Sequence, residues 1–288
     1  MSRLNVISPE RIDFVGADRN TMVGDRWCPA NPRGSVLFLH GGGQTRHSWA
    51  RTAERLAAAG WTAITVDARG HGDSAWTAQY RLDDFVADLR EILDQLETPR
   101  AVVGASLGGR TILTAEGENP SMCSAVALVD IAPNINRAEQ QRVQSFLGAA
   151  PDGFRSLDEA AAAIDAYRPG GTKRNPQGLR KNLRQRDDGR WYWHWDPKFL
   201  EFGTDPENSS TERLNRAASG ISVPTLLVRG TRSGMVSADS AADLMNRIPH
   251  GELAEVDAGH MITGDDNGVF TERLTTFFDE HAASRRNL

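Results

Sequence analysis

The amino-acid sequence predicts an α/β fold, in which a mostly parallel, twisted sheet has helices on both faces and a helical cap is inserted between two strands. Unbroken apolar runs of strand length alternate with amphipathic stretches of helical spacing, which is the pattern of parallel strands buried on both faces. The alternation is interrupted once, by a region without a strand pattern. That region is too long for an ordinary connection in a compact sheet, so we expect it to be an insertion.

The first half of the chain begins with a β-hairpin over residues 11–28, whose turn residues are Asp18 to Asn20. Four apolar runs then predict buried strands, at Ser35–Leu39, Thr62–Val66, Ala101–Val103 and Ser124–Val129. The stretches between these runs have helical spacing, near Trp49–Ala59, over Asp83–Leu96, and from GASLGG to about Gly117.

Residues 133–220 are the region without a strand pattern. Four helices are predicted there, at Ala138–Ala149, Leu157–Tyr167, Gln177–Arg186 and Ser210–Ala218. The alternation then resumes with strands at Thr225–Val228 and Glu252–Val256 and helices at Ala238–Arg247 and Val269–His281. We therefore expect one core domain, formed by residues 1–132 and 221–288, and a helical cap over residues 133–220 that shapes the substrate pocket.

Composition and charge narrow the class of partner. The net charge of -5 is small for 288 residues and the Lys and Arg residues are scattered, which argues against a nucleic acid. Cys28 and Cys123 are the two cysteines, so no disulfide framework is predicted and a reducing, cytoplasmic location is expected. The sequence shows no signal-peptide pattern and no apolar run near the roughly 20 residues of a membrane helix. We expect a small-molecule substrate and no membrane partner, and a homo-oligomer is left open.

The strongest local signal is GASLG, Gly104 to Gly108, a G-x-S-x-G pattern between a predicted strand and a predicted helix. A nucleophile on so sharp a turn needs small neighbours, because the backbone leaves no room for larger side chains. The turn would raise the Ser106 hydroxyl above the sheet at a helix N-terminus, where the helix dipole favours developing negative charge. A plain glycine turn is the alternative, but the strand–turn–helix context favours Ser106 as a nucleophile.

A second signal is HGGG, His40 to Gly43, at the end of an earlier predicted strand. Glycines let the backbone of such a loop approach a substrate carbonyl, and an oxyanion site needs two N–H donors about 3 Å from the developing charge. We assign these donors to the backbone N–H groups of Gly42 and Leu107. A flexible turn before a helix is the alternative interpretation of the glycines.

The third signal is DAGHM, which places His260 just after the last predicted strand. Of the seven histidines, His260 alone occupies a glycine-bounded loop late in the chain, at the C-terminal end of a strand. The others are better explained as structural or surface residues: His40 is expected to brace its own turn, and His281 lies on the last predicted helix.

Four segments together resemble the α/β-hydrolase superfamily: HGGGQTRHSW at 40–49, DARGHGDS at 67–74, GASLGG at 104–109 and AGHM at 258–261. They are most similar to its capped branch of small esterases, lactonases, carbon–carbon hydrolases, epoxide hydrolases and cofactor-free haloperoxidases. The resemblance covers about residues 10–132 and 221–284. It implies the α/β-hydrolase fold, a general base at His260, and a mainly structural role for DARGHGDS. Epoxide hydrolases and haloalkane dehalogenases of this branch have Asp at the elbow, so Ser106 argues against both.

The acid of the expected triad is not where the resemblance places it. The family most often carries it after the strand Thr225–Val228, near Gly234, but this chain has Ser233 and Gly234 there. Asp130, at the end of the strand Ser124–Val129, is our candidate, because its carboxylate would lie one strand on from Ser106. Four alternatives stay open: Asp130 is a structural residue at the entrance to the cap, Asp239 is the acid, Asp257 is the acid, or no acid is present.

These residues predict a serine hydrolase that cleaves an ester, lactone or similarly activated carbonyl compound, without a metal or cofactor. The aromatic stretch RWYWHWDP suggests a partly apolar substrate, with Trp191 and Trp193 in the pocket. Ordinary packing of a cap strand is the alternative for both tryptophans. Two other functions stay open: a ligand-binding or receptor-like protein with weak turnover, motivated by the missing acid, and cofactor-free haloperoxidase or perhydrolase chemistry on the same scaffold.

Overall fold

The computed structural model describes residues 7–167, 175–260 and 268–282. Ten strands occur in these residues, listed in chain order as β1 (Glu10–Val15), β2 (Thr21–Trp27), β3 (Ser35–Leu39), β4 (Thr62–Val66), β5 (Arg100–Ala105), β6 (Ala125–Val129), β7 (Leu183–Gln185), β8 (Trp191–Trp193), β9 (Thr225–Gly230) and β10 (Gly251–Val256). Eight of them form one sheet in the order β1-β2-β4-β3-β5-β6-β9-β10. The pairs β1–β2 and β2–β4 are antiparallel, and every later neighbour pair in this sheet is parallel.

The helices of the described chain follow the predicted pattern closely. They are α1 (Ala50–Ala58), α2 (Leu82–Asp94), α3 (Leu107–Glu118), α4 (Arg137–Leu147), α5 (Leu157–Tyr167), α6 (Thr211–Gly220), α7 (Ala238–Met245) and α8 (Gly268–His281). Short 3₁₀ helices occur at Arg46–Trp49, Pro176–Lys181, Pro197–Gly203 and Pro206–Ser209. The predicted fold class, a mostly parallel sheet with helices on both faces, is confirmed.

The central strands are buried on both faces, which explains their unbroken apolar sequences. In β5, Val102 belongs to the apolar cluster shared with α2, α3 and α6, while Val103 belongs to the cluster shared with α1 and α8. Successive residues of a strand point to opposite faces. A strand covered on both sides therefore needs apolar residues at every position.

One predicted element between residues 133 and 220 is wrong. The helix expected at Gln177–Arg186 is instead the 3₁₀ helix Pro176–Lys181 followed by β7, which pairs antiparallel with β8. Leu183 of β7 and Trp191 of β8 are buried in a separate small apolar cluster with Phe154 and α5. Burial of these two large side chains on a short hairpin outweighs the weak helical spacing, so the expectation of no strand in this region is also wrong.

The loop after β4 is fastened to α2 by a buried ion pair. The Arg69 guanidinium, which is 1% exposed, donates to both carboxylate oxygens of Asp88 at 2.6 and 2.7 Å. The same guanidinium also forms an ion pair with Asp18, whose side chain is 66% exposed. Asp88 also accepts the backbone N–H of Ala17, which secures the β1–β2 turn.

We predict that Asp88→Ala lowers the free energy of unfolding by about 3–5 kcal/mol, because it leaves the Arg69 charge buried without its main partner. Urea unfolding of the variant and the wild type measures this difference. Asp94→Ala on the same helix is the matched control: Asp94 is 78% exposed and lies 3.8 Å from Arg100, so its loss should cost less than about 1 kcal/mol. Equal losses in the two variants would contradict a structural role for the buried pair.

Candidate active site

Ser106 lies at a sharp turn between β5 and α3. Its backbone has φ 48° and ψ -106°, a strained conformation that is rare for residues other than glycine. The turn requires glycine at position 108, where a Cβ atom would lie 2.5 Å from the carbonyl oxygen of Leu39. The G-x-S-x-G pattern therefore has the strand–turn–helix context in which such a serine is held above the sheet.

Asp130 lies directly beside this turn. Ala105 and Val129 are register partners on β5 and β6, so Ser106 and Asp130 are the next residues on two neighbouring strands. The N–H of Ser106 donates to the Val129 carbonyl at 3.3 Å. Asp130 also has a positive φ, 49°, so both strands leave the sheet by abrupt turns at the same edge.

Asp130 is hydrogen-bonded to His260 across the sheet edge. The distance from His260 Nδ1 to Asp130 Oδ2 is 2.6 Å, and the Asp130 carboxylate is 1% exposed. With Nδ1 donating its proton to this carboxylate, the other ring nitrogen, Nε2, is left as the acceptor. The imidazole is thereby held in the tautomer that a general base requires.

Ser233, in the loop after β9 where the family most often carries its acid, binds the Asp130 carboxylate through its hydroxyl group. Ser233 Oγ donates to Asp130 Oδ2 at 2.5 Å and accepts the N–H of Met235 at 3.2 Å. The other carboxylate oxygen of Asp130 accepts the N–H of Gly230 at 3.3 Å. Asp130 is thus fixed by β9 as well as by His260, and the sequence analysis missed this role of Ser233.

The two alternative acids, Asp239 and Asp257, make no contact with the His260 ring among the described residues. Asp239 is an exposed residue in the first turn of α7. Asp257 is 84% exposed and pairs with Arg232 at 2.7 Å. Among the described residues, Asp130 is the carboxylate within hydrogen-bond distance of the His260 ring.

Gly230, at the end of β9, lets the His260 loop approach the sheet. A Cβ atom at position 230 would lie 2.5 Å from the Ala258 carbonyl oxygen and 2.9 Å from that of Gly259. The N–H of Arg232 donates to the same Ala258 carbonyl at 3.0 Å. The glycine therefore allows the loop after β10 to pass over β9 towards Asp130. Met261 of the AGHM motif lies outside the described residues.

The glycine loop after β3 is held by two buried histidines. His40 Nδ1 donates to the Gly41 carbonyl at 2.8 Å, and its Nε2 accepts the N–H of Ala68 at 3.0 Å. His71 Nε2 accepts the N–H of Gly43 at 3.1 Å. Gly41 lies close to the serine, since a Cβ atom there would be 3.4 Å from Ser106 Cβ.

The two N–H groups assigned to the oxyanion site belong to the glycine loop after β3 and to the first residue of α3. Leu107 is the first residue of α3, so its N–H has no partner within the helix. For the N–H of Gly42, no hydrogen bond to another described residue is found, whereas its neighbours Gly41 and Gly43 both donate to side chains. The helix and the glycine loop are joined by a bond from the Gly108 N–H to the His40 carbonyl at 3.1 Å.

The DARGHGDS loop is a polar network within the core. Asp67 is fully buried, accepts the N–H of Arg46 at 2.6 Å and forms an ion pair with its guanidinium. The same guanidinium contacts Asp25 at 3.0 Å and Asp73 at 2.9 Å. These contacts support the structural interpretation of the loop. Within the described parts of the chain, no group of three or more His, Cys, Asp or Glu side chains is arranged to hold a metal ion.

The tryptophans assigned to the pocket occupy different surroundings. Trp191 is 8% exposed within the small apolar cluster, under the Arg180 guanidinium at 4.8 Å. Trp193 is half-buried, with ring centroids 5.8 Å from Phe146 and 5.4 Å from Phe154. Packing is therefore the observed role of Trp191, while Trp193 adjoins the end of α4.

Residues 34–266 match the family of the α/β-hydrolase fold. The chain belongs to this family. An esterase of Mycobacterium tuberculosis is 31% identical over 268 residues, which are 88% of this chain and 85% of the esterase. A 3-hydroxybutyrate-oligomer hydrolase of Cupriavidus necator is 26% identical over 82% of this chain and 85% of that enzyme.

Solved structures of α/β hydrolases have the same fold. A structure of the M. tuberculosis esterase matches with a TM-score of 0.73 at 27% identity, covering 94% of this chain and 92% of the esterase. An α/β hydrolase of Novosphingobium aromaticivorans matches with a TM-score of 0.79 at 23% identity, covering 94% and 98%. This α/β hydrolase is thus an enzyme similar to carboxylic ester hydrolases. Across the described parts of the chain, no helix combines the length and apolar character needed to span a membrane.

We predict that Asp130→Asn lowers kcat for ester hydrolysis by about 10³- to 10⁴-fold, because the amide no longer holds the His260 tautomer; the comparable change in a serine protease costs about 10⁴-fold. Steady-state hydrolysis of a p-nitrophenyl ester measures the loss. Asp239→Asn and Asp257→Asn, which remove the same charge from the other candidate acids, should keep wild-type rates. An unchanged rate in Asp130→Asn would show that this carboxylate is structural.

The buried His71 makes stability depend on pH. Burial lowers the pKa of His71 from its ordinary 6.5 to about 3. Between these values the unfolded chain binds a proton that the folded chain excludes. This histidine therefore contributes stability above pH 6.5 that is progressively lost as the pH falls towards 3.

We predict that the free energy of unfolding falls between pH 6.5 and 4 by about 1.4 kcal/mol per pH unit from His71 alone. Urea unfolding at several pH values should show a smaller slope in His71→Asn than in wild type. The exposed His250→Asn variant controls for loss of a histidine and should keep the wild-type slope. The same slope in all three proteins would rule out His71 as the titrating group.

Proposed function

We propose that this enzyme is a serine hydrolase that cleaves a carboxylic ester, lactone or similarly activated carbonyl bond of a small, partly apolar compound. Ser106 is the nucleophile, His260 the general base and Asp130 the acid that orients it. The N–H groups of Gly42 and Leu107 bind the oxyanion. The observation that carries the proposal is the 2.6 Å hydrogen bond between His260 and the buried Asp130, because a triad needs a carboxylate on the imidazole and position 234 offers none.

The reaction proceeds in two steps on these groups. His260 Nε2 takes the proton of Ser106 Oγ as the oxygen attacks the substrate carbonyl, and the oxyanion forms beside the two N–H donors. His260 then gives its proton to the leaving alcohol, and the acyl group remains on Ser106. Water, deprotonated by His260, attacks the acyl-enzyme, and the acid product leaves as Ser106 regains its proton.

Apolar side chains beside the glycine loop support a partly apolar substrate. A Cβ atom at Gly42 would lie 3.0 Å from the Phe199 ring, and one at Gly43 would lie 2.5 Å from a methyl group of Leu147. Phe146, next to Leu147 at the end of α4, packs against Trp193. Apolar side chains of the segment 133–220 therefore lie beside the glycine loop after β3. This fits the proposed role of the segment as a cap and of Trp193 as a pocket residue.

The ligand-binding alternative was motivated by the missing acid. The hydrogen bond between Asp130 and His260 argues against that alternative, because a carboxylate does contact the imidazole. No observation on the described residues specifically favours peroxide-dependent chemistry over hydrolysis.

We predict that the wild type hydrolyses short-chain p-nitrophenyl esters and reacts covalently with a fluorophosphonate probe at Ser106. Ser106→Ala should lower kcat by about 10⁵- to 10⁶-fold, since the triad acts as a unit, and should abolish labelling. Mass spectrometry of the labelled peptide identifies the serine. Wild-type turnover that equals that of Ser106→Ala, or halogenation with peroxide that exceeds ester hydrolysis, would overturn the proposal.

A further inference from the structure

A polar cavity of about 640 Å³ lies beside α3, the helix that follows Ser106. It is bordered by α3, by the chain just after β6, by α4 and by residues 203–211. Its polar and charged lining residues include Arg110, Arg137, Gln140, Gln144, Glu207 and Ser210. Its volume lies within the range of small-molecule sites, about 300–1,000 Å³.

Arg110 is the buried charge of this cavity. It lies on α3 and is 9% exposed, so nine-tenths of the residue is removed from solvent. Its Nη1 donates to the Asn208 carbonyl at 2.9 Å. Its Nε is buried without an acceptor among the described residues, so the protein leaves part of the hydrogen-bonding capacity of this guanidinium unused.

No carboxylate of the described chain forms an ion pair with Arg110. Glu207 borders the same cavity but forms no ion pair with the Arg110 guanidinium. Burial lowers the pKa of Arg110 to about 10, which still leaves the group charged at neutral pH. Buried charges in proteins are ordinarily paired. Among the described residues, the other two buried arginines, Arg46 and Arg69, each contact at least two aspartates.

Arg110 lies on α3, the helix that begins directly after Ser106. Arg110 follows Ser106 by one turn of α3, and its N–H donates to the Ser106 carbonyl at 2.9 Å. Four residues advance a helix by about 6 Å. On the opposite side, the cavity begins at Pro133, three residues after Asp130. Residues that border the cavity therefore lie about one helical turn from the Ser106 backbone.

We propose that the cavity binds a free carboxylate of the substrate, with Arg110 as its counter-ion, so that the enzyme prefers esters of dicarboxylic acids or of hydroxy acids. A guanidinium matches the two oxygens of a carboxylate, and the amides of Gln140 and Gln144 and the hydroxyl of Ser210 are further donors. The inference rests on the proposed hydrolase function, because Ser106 would attack the ester group of the same molecule.

The test compares anionic esters with neutral esters of equal chain length. The anionic set is monomethyl succinate, glutarate and adipate, and the neutral set is methyl butyrate, pentanoate and hexanoate, with acid release followed in a pH-stat. We expect a higher kcat/KM for the anionic ester at one or more lengths. In Arg110→Gln the anionic-to-neutral ratio should fall by about tenfold or more, mainly through KM, since a charged hydrogen bond is lost.

Two further variants separate binding from folding. Arg110→Lys keeps the cation and should retain part of the preference, whereas loss of structure would lower turnover of both ester sets together. Arg216→Gln removes an exposed arginine, 70% accessible, from α6 and should leave the ratio unchanged. An unchanged ratio in Arg110→Gln, or no preference in the wild type, would overturn the proposed carboxylate site.

A binding measurement distinguishes failure of this site from failure of the hydrolase. Calorimetry with monomethyl glutarate, in the Ser106→Ala variant, should show binding that weakens about tenfold or more when Arg110→Gln is added. Such binding without any wild-type turnover would refute the hydrolase and support the carboxylate site. Turnover of neutral esters, together with equal binding in the single and double variants, would support the hydrolase and refute the site.

Discussion

The hydrogen bond between Asp130 and His260 is the interaction on which the site depends. It joins residues 130 positions apart in the chain, and it forms because β6, β9 and β10 end at one edge of the sheet. Residues from neighbouring strands surround this bond. Gly230 at the end of β9 and Ser233 in the following loop bind the carboxylate, and Ser106 lies beside it after β5. The parallel sheet thus brings together two side chains that no local segment of the chain contains.

A carboxylate after β6 can take the place of one after β9 at little physical cost, because the two strand ends are adjacent. β6 and β9 are neighbours in the sheet, so a carboxylate at the end of either strand can meet a histidine that crosses β9. The hydroxyl of Ser233 then occupies the position next to the missing acid and donates to Asp130. This arrangement keeps a buried carboxylate hydrogen-bonded, as a buried charge requires.

The rest of the site depends on buried polar groups that do not themselves react. His40 and His71 hold the glycine loop, and Asp67, Arg46 and neighbouring carboxylates hold the strand ends beneath it. Buried polar networks of this kind stiffen a protein interior. Arg110 differs from them, because its buried guanidinium makes one hydrogen bond, to a backbone carbonyl, among the described residues. The charges of Arg46 and Arg69, which hold loops in place, are paired with aspartates. The charge of Arg110, which we assign to substrate binding, has no carboxylate partner among the described residues.

The sequence alone determined the fold class, most helices and strands, and the placement of Ser106 and His260 at loops after strands. These features follow from local patterns: apolar runs specify buried strands, and the glycines around Ser106 specify the sharp turn. Sequence reasoning failed at Gln177–Arg186, where burial of Leu183 and Trp191 on a hairpin overrode helical spacing. It also left several acids open, since a carboxylate's partner depends on which strand ends lie side by side. Only the tertiary structure brought Asp130 to His260, gave Ser233 its role and left Arg110 buried without a carboxylate, because these contacts join segments far apart in the chain.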